Sequence, residues 1–158
     1  MRGSFSEREE KEKSFRVREI SFSDLTRLFE IERASFSSPW TKEALRTQIS
    51  APLSFNLLIE VNREIAGYIM CLVVLDECHV LNFAIDPGFR KRGYGSQLLG
   101  SALTILKKRD VKHVFLEVRE KNLPAVRLYL RYGFKMIGRR KRYYEDSGED
   151  ALIMHLEL

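Results

Sequence analysis

The segment IDPGFRKRGYGSQLL (residues 85–99) connects an apolar stretch typical of a β-strand to a stretch with the apolar spacing of an α-helix. Its centre carries a cationic run followed by glycines, at Arg90, Lys91, Arg92, Gly93 and Gly95. The first N–H groups of a helix have no intrahelical acceptor and, together with the helix dipole, they favour an anion. Glycines let a ligand approach that backbone closely. We therefore predict a pyrophosphate site here, with a solvated turn at a helix start as the alternative.

The chain around this segment is predicted to be a single α/β domain. Alternating or continuous apolar residues predict strands at 14–20, 55–61, 64–75, 78–85, 111–118, 134–144 and 149–158. Apolar residues at helical spacing predict helices at 24–36, 41–49, 94–108 and 122–132. The strand at 78–85 is nearly continuous in apolar residues, so we expect it to be central and covered on both faces. Residues 1–13 are dense in charge and predict a disordered tail ahead of the domain at 14–158.

Polar residues at the ends of these segments predict caps and turns. We expect Ser23, Thr41 and Asn122 to cap the helices that follow them. Between two strands, residues 62–63 predict a tight turn. Gly133 can end the last helix in the left-handed conformation.

The chain has two cysteines, which flank a predicted turn at residues 76–77. If that turn pairs residue 75 with residue 78, Cys71 faces Asn82, and the geometry for a disulfide with Cys78 is poor. We therefore predict two buried thiols in a reducing compartment.

The composition is that of a globular protein, with 44% hydrophobic and 31% charged residues. It has neither an apolar run of about 18 residues nor a signal peptide, so we predict a cytoplasmic protein with no membrane partner. The histidines lack the spacing of metal ligands, and no metal is expected. The 27 basic residues are interleaved with 22 acidic ones, so the net charge of +5 does not favour a nucleic-acid partner over a local anion.

Two motifs resemble the GCN5-related N-acetyltransferase (GNAT) superfamily. RKRGYG (residues 90–95) matches its acyl-CoA motif, and LEVREKNLPAVRLYLRYGF (116–134) is similar to its next block. The resemblance implies a GNAT fold of the α/β (α+β) class. Such a fold has a mixed sheet of about seven strands with flanking helices, and its central parallel strands splay apart. It also implies acetyl-CoA as cosubstrate.

Four further stretches resemble the RimI branch of that superfamily, the alanine N-terminal acetyltransferases of a ribosomal protein. They are SFSSPWTKEAL, LDECHVLNFAIDP, LEVR and RRKRYYEDSGEDALIMHL. The resemblance implies direct acetyl transfer, in a ternary complex, to the α-amino group of a protein or peptide N-terminus. A ribosomal protein is then one candidate partner.

The resemblance also implies where acetyl-CoA binds. The strand before the acyl-CoA loop carries a bulge in this superfamily and offers backbone groups to pantetheine, at positions that correspond to Phe83, Ala84 and Ile85. The loop and helix start hold the pyrophosphate, at positions that correspond to Arg90, Lys91, Arg92, Gly93, Tyr94, Gly95 and Ser96.

Glu117 is the candidate general base. It is a lone carboxylate in the apolar strand VFLEV, where burial would raise its pKa towards a useful range. The alternative is an edge-facing glutamate paired with Arg119. The resemblance to RimI, in which the glutamate of LEVR acts as base, favours the catalytic role.

Tyr129 is the candidate general acid for the departing thiolate. It follows Asn122 by two helical turns, so both side chains project from one face towards the CoA arm. The resemblance places Tyr129 near the sulfur and Asn122 near the pantetheine or phosphates. The alternative for Tyr129 is an aromatic core residue.

The substrate side is predicted from fewer residues. Tyr143 and Tyr144 resemble paired tyrosines that line the peptide channel of N-terminal acetyltransferases, and two strand aromatics are the alternative. Glu32 and Glu77 are candidates to contact the substrate amine. The SSPW segment and the following helix would form the opposite wall.

Two other functions remain open from the sequence. A GNAT protein could acetylate lysine side chains or a small amine, and a non-catalytic basic module could bind the ribosome or RNA. An enzyme requires Glu117 and Tyr129, and both are present. RNA binding would favour aromatics interleaved with basic residues, and RRKRYY approaches that pattern.

Overall fold

The fold is a seven-stranded mixed sheet with helices on both faces, in a computed structural model that describes residues 14–158. The predicted tail at residues 1–13 lies outside the described residues. The strands are β1 (Phe15–Glu19), β2 (Ser54–Val61), β3 (Glu64–Val74), β4 (Glu77–Ile85), β5 (His113–Arg119), β6 (Lys135–Arg140) and β7 (Ala151–Glu157). The helices are α1 (Leu25–Ser35), α2 (Lys42–Ser50), α3 (Tyr94–Lys108) and α4 (Leu123–Arg131). Strand order is β1-β2-β3-β4-β5-β7-β6.

The first four strands form an antiparallel meander. Asn62 and Arg63 both have positive φ, as the predicted tight turn requires. The next turn lies at residues 75–76, one residue earlier than predicted, because Val74 pairs with Glu77.

That turn and a bulge place Cys71 opposite Val80, so the predicted pairing of Cys71 with Asn82 is wrong. Both Cys71 and Cys78 are free, buried thiols, as predicted. A hydrogen bond with Cys78, together with burial, raises the pKa of Cys71 well above its usual value.

β4 and β5 are parallel and separate part-way along their length. They pair only from Glu77 opposite His113 to Val80 opposite Leu116. A bulge leaves Leu81 without a partner on β3, because Met70 pairs with Asn82 and Cys71 with Val80. The splay confirms the predicted fold class. As expected, β4 is central and helices lie on both of its faces, but Leu81 at the bulge is 42% exposed, so the cover is incomplete at that point.

The two faces of the sheet are covered by different helices. α3 packs on one face in a core that includes Leu98, Leu116 and Val118. α1 and α2 cover the other face over β2 to β4, where Leu28 packs with Tyr68 and related residues. The sheet therefore separates two cores, and any gap in it opens between them.

The start of α1 differs from the prediction. A short 3₁₀-helix (Phe22–Asp24) precedes α1, and the backbone N–H of Ser21 donates to Oδ2 of Asp24 at 2.8 Å. Ser23 is therefore not the cap, because the first turn begins before it. The other predicted caps are confirmed: Thr41 accepts from Ala44 N–H at 3.0 Å, and Asn122 from Ala125 N–H at 3.4 Å.

The chain leaves the sheet earlier than predicted near its C-terminal end. β6 ends at Arg140, so Tyr143 and Tyr144 lie in the loop between β6 and β7 and not in a strand. Asp150 draws the chain out of the strand, since its carboxylate accepts from the backbone N–H of Arg142 at 2.9 Å and from Arg139 at 3.0 Å. We call residues 141–150 the β6–β7 loop.

None of the helices in residues 14–158 has the length and hydropathy that a membrane crossing needs.

Candidate active site

A cleft of about 620 Å³ opens at the point where β4 and β5 separate. One wall consists of β4 residues 80–83, α1 and the segment that joins α1 to α2. The other consists of β5, the start of α4 and the β6–β7 loop. Among its lining residues are Glu32, Asn82, Phe83, Glu117, Arg119, Asn122, Tyr129, Tyr144, Asp146 and Glu149.

Glu117 and Tyr129 approach this gap from opposite faces of the sheet. Side chains alternate along a strand, and Leu116 and Val118 belong to the core under α3. Glu117 therefore points to the other face. Tyr129 belongs to the α3 side, where its ring lies 6.4 Å from that of Phe83. A proton acceptor, Glu117, and a proton donor, Tyr129, thus line the same cleft, the first from one face of the sheet and the second from the other.

The surroundings of Glu117 differ from the prediction in two respects. Its side chain is 31% exposed, so the expected burial is not observed. Its oxygen Oε1 lies 3.2 Å from Nε of Arg140, so the ion pair is with Arg140 and not with Arg119. This carboxylate is fixed on one side and open to the cleft on the other.

Tyr129 is enclosed. It is 6% exposed and packs against Phe83 and Phe134, so burial raises the pKa of its phenol above the ordinary value. A higher pKa keeps the hydroxyl protonated over a wider pH range, which is the state a general acid needs.

Arg119 organises the mouth of the cleft. Its two terminal nitrogens donate to the two oxygens of Asp146, each at 2.9 Å, and the first also donates to Ser147 Oγ at 3.1 Å. Its guanidinium carbon lies 3.9 Å from the centre of the Tyr144 ring. Asp146 also accepts a short hydrogen bond from Ser37, in the segment after α1. The β6–β7 loop, which is part of the wall formed by β5, therefore also contacts the segment after α1 in the opposite wall.

The paired tyrosines occupy different positions. Tyr144 lines the cleft, and burial raises the pKa of its phenol. Tyr143 is 44% exposed, packs edge-on against Tyr144, and lies under Arg140. The structure thus brings Tyr144 to the site, with Tyr143 behind it.

Glu32 lies in the opposite wall and is 1% exposed. Its carboxylate accepts from Trp40 N–H at 2.9 Å, from Asn82 Nδ2 at 2.8 Å and from the hydroxyl of Tyr68. Burial, and then the hydrogen bond to Glu32, raise the pKa of Tyr68. This network fixes the loop after α1 against β4 beside its bulge, as expected for the SSPW segment.

Glu77 is not at the cleft. It begins β4, pairs across the sheet with His113, and its carboxylate lies 3.2 Å from His79 Nε2. The gap opens only beyond Val80, so the structure separates Glu77 from the other candidate substrate residues.

The loop between β4 and α3 (residues 86–93) is anchored by contacts with α1 and with its own backbone. Burial opposes the charge of Asp86, but hydrogen bonds from Gly88 N–H at 2.8 Å and from Arg27 keep its pKa below the usual range. Arg90 donates to Ile85 O at 2.8 Å and to Ser35 Oγ at 3.1 Å, which ties the loop to α1. Two of the nitrogens of the Arg90 guanidinium are thus already engaged in hydrogen bonds within the protein.

The helix start has the expected geometry. Gly93 has φ of +84° and leads directly into α3, and Lys91 also has positive φ. The side chains of Tyr94 and Ser96 make contacts inside the protein: Tyr94 is buried, and the Ser96 hydroxyl lies 3.1 Å from the hydroxyl of Tyr132. These two positions can therefore offer a ligand their backbone. Lys91 and Arg92 stay exposed at the rim.

Several cleft residues were not predicted from the sequence, namely Asn82, Asp146, Ser147 and Glu149. Asn82 could have been found as a lone amide in an apolar strand. The other three lie in the β6–β7 loop, which the strand pattern placed partly in a strand.

Among residues 14–158, no group of three or more His, Cys, Asp or Glu side chains is arranged to hold a metal ion.

Comparisons with known proteins agree with this geometry. Residues 25–134 match the profile of the acetyltransferase (GNAT) family. The chain is 40% identical to a Bacillus subtilis relative over 139 residues, which is 87% of this chain and 92% of that protein. It is 37% identical to the ribosomal protein bS18-alanine N-acetyltransferase of Haemophilus ducreyi over 145 residues, 90% of this chain and 99% of that one.

Solved structures show the same fold. The ribosomal-protein-S18-alanine N-acetyltransferase of Escherichia coli superposes with a TM-score of 0.87 at 32% identity, covering 91% of this chain and 94% of that one. Arabidopsis thaliana NAA60 in complex with acetyl-CoA superposes with a TM-score of 0.83 at 21% identity, covering 92% and 100%.

Proposed function

This chain belongs to the acetyltransferase (GNAT) family, and we propose that it transfers the acetyl group of acetyl-CoA to the α-amino group of a protein N-terminus. Its relatives named above are N-acetyltransferases, and the family makes acetyl-CoA its cosubstrate. The observation that carries the proposal is the placement of Glu117 and Tyr129 on opposite sides of one gap in the sheet.

The opposed placement suits direct transfer. Glu117 accepts a proton from the incoming ammonium, whose nitrogen then attacks the thioester carbon from the Glu117 side. The carbon–sulfur bond breaks, and the buried hydroxyl of Tyr129 supplies the proton that the departing thiolate requires. As the amide forms, its nitrogen loses a second proton, which replaces the one that the phenol gave up, and Glu117 releases its own proton to solvent. An α-amino group has an ordinary pKa of about 8, against about 10.4 for lysine, so the ammonium of an N-terminus gives up its proton more readily than the ammonium of a lysine side chain.

The residues that would hold acetyl-CoA lie on one side of the gap. Beyond Val80, β4 has no partner on β5, so backbone groups of residues 83–85 on that edge can pair with the amide groups of pantetheine. The start of α3 offers N–H groups to the pyrophosphate, with Lys91 and Arg92 beside it. A Cβ on Gly93 would meet no atom of the described residues within 4 Å, so the loop leaves open space beside the backbone at that position.

The peptide would reach Glu117 from the other face, between the segment after α1 and the β6–β7 loop. Tyr144 and Arg119 line this path on one side, and Asn82 and Glu32 on the other. Because the relatives are named for ribosomal protein bS18, a ribosomal protein in the cytoplasm is the candidate natural substrate.

The test is acetyl-CoA-dependent thiol release with short peptides. The panel has Ala-, Ser-, Met- and Glu-starting peptides with free N-termini, and an N-terminally blocked peptide with an internal lysine. We expect turnover on free N-termini and a loss of roughly a hundredfold or more in kcat for Glu117→Gln.

The matched control is Glu120→Gln, three residues along the same chain segment, whose carboxylate pairs with Arg139 at 2.7 Å outside the cleft. It should keep kcat within about threefold of the wild type, since surface ion pairs contribute little. Turnover on the blocked lysine peptide alone, or CoA binding without any turnover, would contradict the proposal.

A further inference from the structure

The carboxylate of the candidate base is restrained by a single side chain. Nε of Arg140 lies 3.2 Å from Oε1 of Glu117. Among residues 14–158, no hydrogen bond and no other ion pair involves this carboxylate. The Glu117 side chain is 31% exposed, so the atoms around it leave it room to rotate. The direction in which the base points therefore depends on Arg140.

The register of the strands explains how Arg140 reaches the base across β7. Arg140 pairs with Ala151, and Glu117 pairs with Ile153, two residues further along the same strand. Residues two apart on a strand share a face, so Arg140 and Glu117 project from one face of the sheet, two inter-strand spacings or about 10 Å apart. Because Ala151 has only a methyl group, the long side chain of Arg140 can cross β7 above it.

The guanidinium of Arg140 is itself supported. Its central carbon lies 5.3 Å from the centre of the Tyr143 ring, which is within the range of a cation–π contact. The Tyr143 ring packs edge-on against that of Tyr144, with 5.2 Å between the ring centres. Although the Arg140 side chain is 55% exposed, it has one contact on an aromatic ring and one on the base. Its position is thus defined by the structure.

Neither stability nor the neighbouring arginine accounts for this contact. An ion pair as exposed as this one contributes little to the free energy of unfolding. Arg119 lies on the same strand as Glu117, but its two terminal nitrogens donate to the two oxygens of Asp146. Arg140 is therefore the cation that restrains the base, and it does so at little benefit to the fold.

We propose that Arg140 is a positioning residue for the reaction: its guanidinium holds Oε1 of Glu117 and leaves Oε2 to accept the proton of the substrate ammonium in the cleft. This assignment rests on the proposed function. A group that is already held in the reactive geometry avoids the entropic cost of reaching it. Without Arg140, the carboxylate would turn towards solvent for part of the time, and kcat would fall while acetyl-CoA still binds.

The experiment introduces Arg140→Met into the wild type and into Glu117→Gln, and measures kcat and KM with an alanine-starting peptide. Methionine keeps part of the side-chain length and removes the guanidinium. In the wild type we expect kcat to fall roughly tenfold and the KM for acetyl-CoA to change by less than about threefold. In Glu117→Gln the same substitution should change kcat by less than about twofold, because the carboxylate that Arg140 holds is gone.

Two further variants separate the ion pair from general effects of charge. Arg140→Lys keeps a cation beside Oε1 and should hold kcat within about threefold of the wild type, since the contact uses one nitrogen and not a bidentate fork. Arg142→Met, the matched control, removes the same charge from an exposed position two residues along the chain and should leave kcat unchanged. Equal thermal unfolding midpoints for all variants show that the fold is kept.

The outcomes distinguish the role of Arg140 from the proposed function. Wild-type kcat in Arg140→Met, an equal loss in both backgrounds, or a loss in Arg140→Lys as large as that in Arg140→Met would overturn the role of Arg140 and leave the proposed function standing. A wild type that acetylates no free N-terminus would overturn the proposed function, and the role of Arg140 with it.

Discussion

At the scale of single residues, Glu117 shows what a strand pattern can and cannot predict. Its face follows from alternation with Leu116 and Val118, which one sequence suffices to predict. Its partner, Arg140, could not be predicted, because β6 reaches β5 only through β7 and the register of both pairs decides the contact. Its exposure follows from the splay of β4, a property of two strands together.

The raised pKa of Tyr129 predicts a specific pH profile. Because burial raises this pKa above the ordinary value of about 10, the phenol keeps its proton through the alkaline range in which most enzymes are assayed. We expect kcat to show no decline caused by Tyr129 up to about pH 9.5. Tyr129→Phe should lower kcat by roughly a hundredfold at every pH and change the KM for acetyl-CoA by less than about threefold.

The measurement is kcat against pH for both proteins. An alkaline decline below pH 9.5 that is present in the wild type and absent in Tyr129→Phe would show that the phenol loses its proton in the ordinary range, against this prediction.

At the scale of elements, most strands and helices were predictable and their ends were less so. The turn at Asn62 and Arg63 was found because the two residues lie between two strand patterns and asparagine adopts positive φ more readily than most residues. The next turn was misplaced by one residue because Leu75, which has positive φ there, is not a typical turn residue. β6 was predicted too long because Tyr143 and Tyr144 are of a residue type common in strands, whereas contacts to Asp150 turn the chain away.

The packing of α3 against the residue after α4 gives a second prediction. A Cβ on Gly100 would lie 2.6 Å from the hydroxyl oxygen of Tyr132, which donates to Ser96 O at 2.6 Å. Gly100→Ala should therefore displace that hydroxyl and cost about 1–3 kcal/mol of unfolding free energy, partly offset by about 1 kcal/mol of helix propensity.

In a Tyr132→Phe background the same substitution meets no hydroxyl and should be neutral or stabilising. Denaturant unfolding of the wild type, both single variants and the double variant measures the coupling. Additive effects of the two substitutions would show that the contact is absent.

At the scale of the whole molecule, the topology was predictable and the closure of the cleft was not. The order of elements and the two family motifs lead to the fold. The contact of Ser37 with Asp146 joins two loops that are distant in sequence, and neither loop has an apolar pattern that would indicate its partner. The sequence therefore predicted residues on each wall of the cleft, but not the contact by which the β6–β7 loop meets the segment after α1.

The stability of the molecule in acid gives a third prediction. Hydrogen bonds from Arg18, at 2.8 and 2.9 Å, hold the pKa of Asp24 below its usual range and join β1 to the start of α1. A lowered folded-state pKa contributes stability above the unfolded value of about 3.9, and that contribution is lost as pH falls below it.

Asp24→Asn should therefore reduce the free energy of unfolding by about 1–2 kcal/mol at pH 6. The difference from the wild type should shrink as pH falls from 5 to 2. Asp76→Asn, in an exposed turn, is the control and should leave the curve unchanged. A difference that is independent of pH would show that the Asp24 contact does not depend on its charge.

The short parallel pairing of β4 with β5 also bears on how the chain folds. Strands β1 to β4 pair with their neighbours in sequence, and β5 to β7 form a second group that pairs within itself. The junction between the groups is short, since it consists of the residue pairs between 77–80 and 113–116, which the chain makes after it has crossed through α3. The boundary between the two groups is the gap that forms the candidate active site, so the cleft is complete only when both groups have formed and joined.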